Sequence, residues 1–180
     1  LYLRNKLIFT ETSLYLRNME IINNNQMEKV IILKGASNRG KSSTLLILIE
    51  KLLAQYKSQA IYPHGYTFST NECFVIISVP NFGNVGIIPF GDNGSEQKVK
   101  DCLQECLSHN CIAVIGASHM QYNRNPDTVY KILWDFGDNQ NAKVVETTTL
   151  IFDPSFGQPL QSSHVNSICA NYLISILFNL

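Results

Sequence analysis

The chain has 180 residues with a formal net charge of +0, and 45% of its residues are hydrophobic while 16% are charged. This length and composition suit one domain that buries a full core. No basic patch or run stands out, so the charge gives no case for a nucleic-acid partner or an anionic membrane surface. No apolar run reaches the roughly eighteen residues that span a bilayer, and residues 1–6 lack a signal-peptide layout.

Cysteine usage indicates a reducing compartment. The five cysteines are an odd set without a C-x-x-C pair. Free thiols of this kind fit the cytoplasm, which is the predicted location. Cys102 and Cys106 share a predicted helix face and Cys111 follows closely, so a metal site is one interpretation. Buried side chains that act as small hydrophobic residues are the favoured one.

Residues 1–26 differ from the rest of the chain. The sequence Leu-Tyr-Leu-Arg-Asn occurs at 1–5 and again at 14–18, and the polar stretch Asn23–Gln26 precedes Met27. Two copies of five residues are too few for a repeat architecture. We expect 1–26 to be an N-terminal extension, either poorly ordered or a strand and short helix on the domain edge, and 27–180 to be one domain.

The most informative stretch fits the pattern G-x-x-x-x-G-K-[ST], with Gly35, Gly40, Lys41 and Ser42 at the fixed positions. Before it, a short apolar, β-branched run predicts a buried strand at about 29–34. After it, an apolar segment with helical spacing predicts a helix at about 41–55. A strand, a glycine loop and a helix in this order are the context that the pattern requires.

Each residue type in this loop suits a bound phosphate. The two glycines let the backbone turn sharply and present successive N–H groups to an anion. The following helix directs its positive end at the same place. Lys41 adds a full charge for the β- and γ-phosphates, and the Ser42 hydroxyl suits Mg²⁺. The other loop residues predicted to contact the nucleotide are Ser37, Asn38, Arg39 and Ser43.

The segment after this helix, residues 56–71, is predicted to be a long loop. Loops of this length without their own structure are often functional, and Thr67, Ser69 and Thr70 could offer hydroxyls to Mg²⁺ or the γ-phosphate. A passive surface connection is the favoured alternative. Next, two apolar runs at 74–79 and 85–90 flank an Asn- and Gly-containing turn, which predicts an antiparallel hairpin.

The remaining elements complete an α/β pattern. A continuously apolar run at 111–118 is the best central parallel strand. Another strand is predicted at 143–152, and helices are predicted at 95–108, 127–137 and 159–180. The sum predicts a three-layer α/β/α fold with a mostly parallel sheet and one β-hairpin.

Ligands of such sheets bind beyond the carboxyl ends of the strands. Asp92 follows the apolar run Val85–Phe90, where a carboxylate can hold Mg²⁺ opposite Ser42, although it could also be a turn residue of its Asp-Asn-Gly loop. Over 27–152 the chain resembles the P-loop NTPase superfamily: Gly35–Ser42 match Walker A, and Val85–Asp92 match Walker B loosely. The resemblance implies the three-layer fold, Mg²⁺-nucleotide binding, and functional roles for Lys41, Ser42 and Asp92.

The expected nucleotide is ATP. The hairpin before Asp92 also resembles the GTPase branch, in which an antiparallel strand precedes D-x-x-G. In this sequence Gly94 comes one position early, and His119–Tyr122 stands where the guanine signature N-K-x-D would be.

Two arginines and two histidines occupy predicted loops near the site. Arg39 or Arg124 could place a guanidinium on the transferred phosphoryl group, and for each a solvated side chain is the alternative. His64 and His119 show no carboxylate or serine partner in the sequence, so we assign neither a catalytic role.

The sequence therefore predicts a Mg²⁺-dependent ATP-binding protein that hydrolyses ATP. Lys41, Asp92 and Arg124 are the predicted catalytic residues, and Ser42 and Asp92 are the predicted metal ligands. Two alternatives stay open: a kinase that passes the γ-phosphoryl group to a small molecule or nucleotide, and a slow GTPase-like regulatory switch with 56–71 as its moving part. A nucleoside triphosphate is the expected partner.

Overall fold

The computed structural model describes residues 26–35, 40–66, 73–119, 128–149 and 162–179, which form six strands and four helices. In chain order these are β1 (Lys29–Gly35), α1 (Lys41–Gln55), β2 (Gln59–Tyr62), β3 (Val75–Val79), β4 (Gly83–Ile88), α2 (Glu96–Ser108), β5 (Cys111–His119), α3 (Val129–Asn139), β6 (Lys143–Thr148) and α4 (Ser162–Phe178). Among these residues no helix is long and apolar enough to cross a bilayer.

All six strands belong to one mixed sheet in the order β2-β3-β4-β5-β1-β6. The ladders β4–β5, β5–β1 and β1–β6 are parallel, while β2–β3 and β3–β4 are antiparallel. The predicted α/β class and the β3–β4 hairpin are confirmed. The sheet is nevertheless mixed, because β3 runs antiparallel to the other five strands.

The prediction of a loop without structure at 56–71 was wrong at Gln59–Tyr62, which forms β2. This strand has four residues and no fully buried side chain, so its own sequence carries little signal. Its pairing with β3 holds it in place. The predicted switch residues Thr67, Ser69 and Thr70 lie outside the described residues, as do residues 1–25.

Helices cover both faces of the sheet and bury an apolar core against each. On one face, α1 and α4 pack through side chains that include Leu45, Leu48, Leu52, Leu173 and Leu177. On the other, α2 and α3 pack through side chains that include Val99, Leu103, Cys106, Val129 and Leu133. Cys102, Cys106, Cys111 and Cys169 are buried, as expected for cysteines that serve as small hydrophobic residues.

A buried lysine joins the first strand to the last helix. Lys29 begins β1 and is 2% exposed, and its Nζ donates to the carbonyl oxygens of Ile176 at 2.6 Å and Asn179 at 2.9 Å. Burial lowers the pKa of Lys29, and the nearby charge of Lys143 lowers it further. The ammonium group stabilises the C-terminal end of α4, where unpaired carbonyls carry partial negative charge.

The element ends differ slightly from the prediction. Helix α1 has the predicted bounds, whereas α4 ends two residues earlier than predicted, at Phe178. β6 stops at Thr148 instead of residue 152. Thr149 still bonds to β1, since its N–H donates to the Lys34 carbonyl at 2.9 Å.

Candidate functional site

The predicted phosphate loop connects β1 to α1 as its sequence requires. Gly35 is the last residue of β1, and Gly40 directly precedes α1 with φ +76°, a left-handed conformation that glycine adopts without strain. The helix begins at Lys41, and the Thr44 N–H donates to the Gly40 carbonyl at 2.8 Å. Residues 36–39 lie outside the described residues, so the roles of Ser37, Asn38 and Arg39 stay predictions.

The Lys41 side chain folds back across this loop. Lys41 is 7% exposed, and its Nζ donates to the carbonyl oxygen of Gly35 at 3.0 Å. Its Cγ would lie 3.2 Å from a Cβ at Gly35. Its positive charge lies next to the N-terminus of α1, where the first N–H groups of the helix add partial positive charge, so an anion is favoured electrostatically at this position. Lysine side chains are mostly exposed in proteins, whereas this one is buried.

Two distant elements press against the two glycines. A Cβ at Gly35 would lie 2.6 Å from Thr149 Oγ1, just after β6, and one at Gly40 would lie 2.4 Å from Asn166 Oδ1 of α4. The same Asn166 oxygen accepts a hydrogen bond from Thr44 Oγ1 at 3.3 Å. The glycines are thus needed for tertiary packing as well as for the turn.

The Thr149 hydroxyl is a buried polar atom at the base of the loop. Thr149 is 3% exposed, and within the described part of the chain its Oγ1 has no hydrogen-bond partner. Buried hydroxyls are nearly always paired, so such an atom needs an explanation. It lies against Gly35, where a bound group or a rearranged loop could supply the partner.

The predicted hydroxyl ligands occupy the first turn of α1. Ser42 is half-buried and Ser43 is exposed. Both lie at the positive end of a 15-residue helix, whose first N–H groups have no partner within the helix.

Asp92 is held close to the end of β5 by Gly91. A Cβ at Gly91 would lie 2.8 Å from the main-chain carbon of Ala117, so only glycine fits there. This close approach brings Asp92 Oδ1 to 2.7 Å from His119 Nε2, with the Asp92 side chain 75% exposed. The prediction that His119 has no carboxylate partner was wrong. The adjacency of the parallel strands β4 and β5 could have suggested the pair, since their carboxyl ends meet at one edge.

Three neighbouring strand ends therefore present the site residues. Gly35 ends β1 and is the register partner of His119 at the end of β5, while Asp92 follows β4. Because β5 separates β4 from β1, the two outer strands are about 10 Å apart. His64 follows β2, which three other strands separate from β1 in the sheet, and it does not join the site. Arg124 lies outside the described residues.

No protein-family model, curated protein or solved structure matches this chain. In the described ranges no group of three His, Cys, Asp or Glu side chains gathers to hold a metal ion.

A charged cluster lies beside the loop on the opposite face of the sheet. Lys34, the residue before Gly35, forms an ion pair with Glu146 of β6, which also accepts a hydrogen bond from the Tyr130 hydroxyl. Burial alone would raise the pKa of Glu146, but the hydrogen bonds from Lys34 and Tyr130 lower it overall. Burial and the bond to Glu146 raise the pKa of Tyr130 to about 12.

Proposed function

We propose that this chain is a Mg²⁺-dependent ATP-binding protein of the P-loop NTPase superfamily, with its three-layer α/β/α fold, and that it hydrolyses ATP in the cytoplasm. The observation that carries the proposal is the Lys41 ammonium group. It is buried and bonded to Gly35 O at 3.0 Å, beside the N-terminus of a long helix. A buried cation beside a helix N-terminus is an anion site by simple electrostatics.

The residues present fit a triphosphate. The N–H groups of the first turn of α1 carry partial positive charge, and the ammonium group of Lys41 carries a full positive charge. These hydrogen-bond donors lie together at the start of the helix. Lys41 Nζ is a cationic donor at this position, where it bonds to the Gly35 carbonyl oxygen at 3.0 Å. The Thr149 hydroxyl next to Gly35 is a further buried polar group, and no described residue forms a hydrogen bond with it.

The metal end of the site would consist of Ser42 and Asp92. If these two residues held Mg²⁺, the ion would supply positive charge that neutralises the phosphates. Asp92 uses Oδ1 for its bond to His119, and its exposed carboxylate leaves Oδ2 accessible to a hydrated ion. The gap of about 10 Å between β4 and β1 suits contact through water.

His119 orients this carboxylate. Its ring lies at the end of the strand between β1 and β4, and it bonds to Asp92 at 2.7 Å. We assign it a positioning role, because it acts on Asp92 and is one-fifth exposed. Arg124 remains the predicted residue for the transferred phosphoryl group. ATP is preferred to GTP because the guanine signature is missing from the sequence after β5.

The decisive experiment measures binding and hydrolysis of ATP by a Lys41→Met variant. Methionine preserves the apolar stem packing and removes the charge. We expect ATP affinity to fall at least tenfold, which corresponds to loss of about 1.4 kcal/mol of binding free energy, with unfolding stability close to that of the parent. Lys34→Met is the matched control, since Lys34 bonds Glu146 on the other face. Equal ATP binding and hydrolysis by Lys41→Met and the parent would refute the proposal.

The Asp92→Asn variant tests the metal end in the same assay. It keeps the size and hydrogen bonding of the side chain and removes the charge. We expect release of inorganic phosphate to slow at least tenfold and to require more Mg²⁺, while nucleotide affinity changes less. Superimposable Mg²⁺ titrations of variant and parent would show that Asp92 is only a turn residue.

A further inference from the structure

A cavity of about 370 Å³ lies between the edge of the sheet and α4, on the same face as α1. Leu33 of β1 forms its back, Thr147 and Thr148 of β6 form one wall, and Ile168, Cys169 and Tyr172 of α4 form the other. Ile168 and Tyr172 are exposed, so the cavity opens to solvent between them. Its volume is within the range of small-ligand sites.

Both walls of this cavity lead directly to the phosphate loop. On the β6 side, Thr148 is followed by Thr149, which abuts Gly35. On the α4 side, Asn166 abuts Gly40, and Cys169 lies three residues along the helix, about 4.5 Å further on. A molecule whose phosphates bind at the loop can therefore reach the cavity with its other end.

The cavity walls suit a neutral, flat, aromatic group. Apart from the threonine and tyrosine hydroxyls and a thiol, the lining is apolar, and none of its described residues carries a charge. A guanine base would find no carboxylate among these residues for its N–H donors. The Tyr172 ring at the mouth offers a surface on which a base can stack.

The edge strand supplies a donor and an acceptor. β6 is the last strand of the described sheet, and the N–H groups of Lys143 and Thr149 both donate into β1. Along a strand, the N–H and C=O groups of successive residues point alternately to one side and to the other. The N–H and C=O groups of Thr148 therefore point away from β1, towards the open edge of the sheet. The side chain of Thr148 lies on the face of its register partner Lys34, opposite the cavity, so Thr148 borders the cavity mainly through its main chain.

We propose that this cavity receives the adenine ring of the nucleotide whose phosphates bind at the loop. Adenine presents the N6 amino donor beside the acceptor N7, which complements an outward C=O and N–H pair. Guanine presents the acceptor O6 in the same place and would oppose the carbonyl oxygen. This inference rests on the proposed function, and it adds where the base binds and which groups of the chain contact it.

The test compares binding of ATP, GTP and inorganic triphosphate, each with Mg²⁺, by titration calorimetry. The parent should bind ATP at least tenfold more tightly than GTP or triphosphate. Ile168→Trp, which fills the mouth, should lower ATP affinity at least tenfold and leave triphosphate affinity unchanged. Tyr172→Ala should lower ATP affinity about fivefold in the same selective way. Trp134→Ala removes an exposed aromatic side chain from α3 and is the matched control.

The outcomes separate the two proposals. Parent protein that binds neither ATP nor triphosphate overturns the proposed function. Parent protein that binds both equally, with Tyr172→Ala and Ile168→Trp unchanged, overturns only the adenine site. The adenine site is also overturned if these variants lose triphosphate and ATP affinity together. Thermal unfolding establishes that each variant is folded. If Ile168→Trp does not fold, the binding result for Tyr172→Ala by itself supports or overturns the adenine site.

Discussion

Replacing Gly40 with alanine should destabilise the protein by about 2–3 kcal/mol, for two separable reasons. The first is backbone strain, because Gly40 has φ +76° and a left-handed alanine costs about 1–2 kcal/mol. The second is a contact, since the new Cβ would lie 2.4 Å from Asn166 Oδ1. Moving Asn166 away breaks its hydrogen bond from Thr44, which is worth about 1 kcal/mol.

A double-mutant cycle in urea separates these contributions. In an Asn166→Ala background the contact is already gone, so Gly40→Ala should cost only the strain of about 1–2 kcal/mol. Gly65→Ala is the matched control: Gly65 has φ +72°, and among the described residues beyond its chain neighbours no atom lies within 4 Å of the position of a new Cβ. It should cost the strain alone in both backgrounds.

The midpoint of urea unfolding at constant m-value gives each free energy. We expect a coupling energy of about 1 kcal/mol between Gly40→Ala and Asn166→Ala, and none between Gly65→Ala and Asn166→Ala. If Gly40→Ala costs the same in both backgrounds to within about 0.5 kcal/mol, α4 does not pack against the phosphate loop as described. The support of the loop by the last helix would then be refuted.

Two further predictions concern buried polar groups. The titration of Tyr130, isolated as the difference between the parent and Tyr130→Phe, should have a midpoint near 12, and Glu146→Gln should move it towards the usual value of about 10. Because the pKa of Tyr130 is raised in the folded state, the neutral phenol stabilises the fold below about pH 10, and this stabilisation is lost as the pH rises towards 12. A titration midpoint of about 10 in the parent would contradict the pairing of Tyr130 with Glu146. Lys29→Met should destabilise the protein by about 3 kcal/mol and speed amide exchange in the last turn of α4, since carbonyls there lose a charged donor. Lys143→Met, an exposed neighbour, should change the stability by less than about 0.5 kcal/mol, and an equal effect of both variants would contradict the role of Lys29.

The elements that the sequence predicted well are those whose signal is local. The unit of β1, the glycine loop and α1 follows from an apolar run, two glycines at fixed spacing and helical periodicity within about 27 residues, from 29 to 55. The β3–β4 hairpin follows from two apolar runs and a short turn. β2 escaped detection because four half-exposed residues have almost no pattern of their own.

The candidate site shows the same division. The sequence by itself determined where the predicted phosphate loop joins β1 to α1, because glycine conformational freedom and the position of a helix start are properties of neighbouring residues. Only the tertiary structure decided what surrounds that loop. Thr44 and Asn166 are 122 residues apart and His119 and Asp92 are 27 apart, while Lys29 reaches a carbonyl 147 residues away. Such contacts depend on strand order and on helix packing across the sheet, and no short-range periodicity encodes these. The burial of Lys41 and the cavity beside β6 therefore appeared only once the chain was folded.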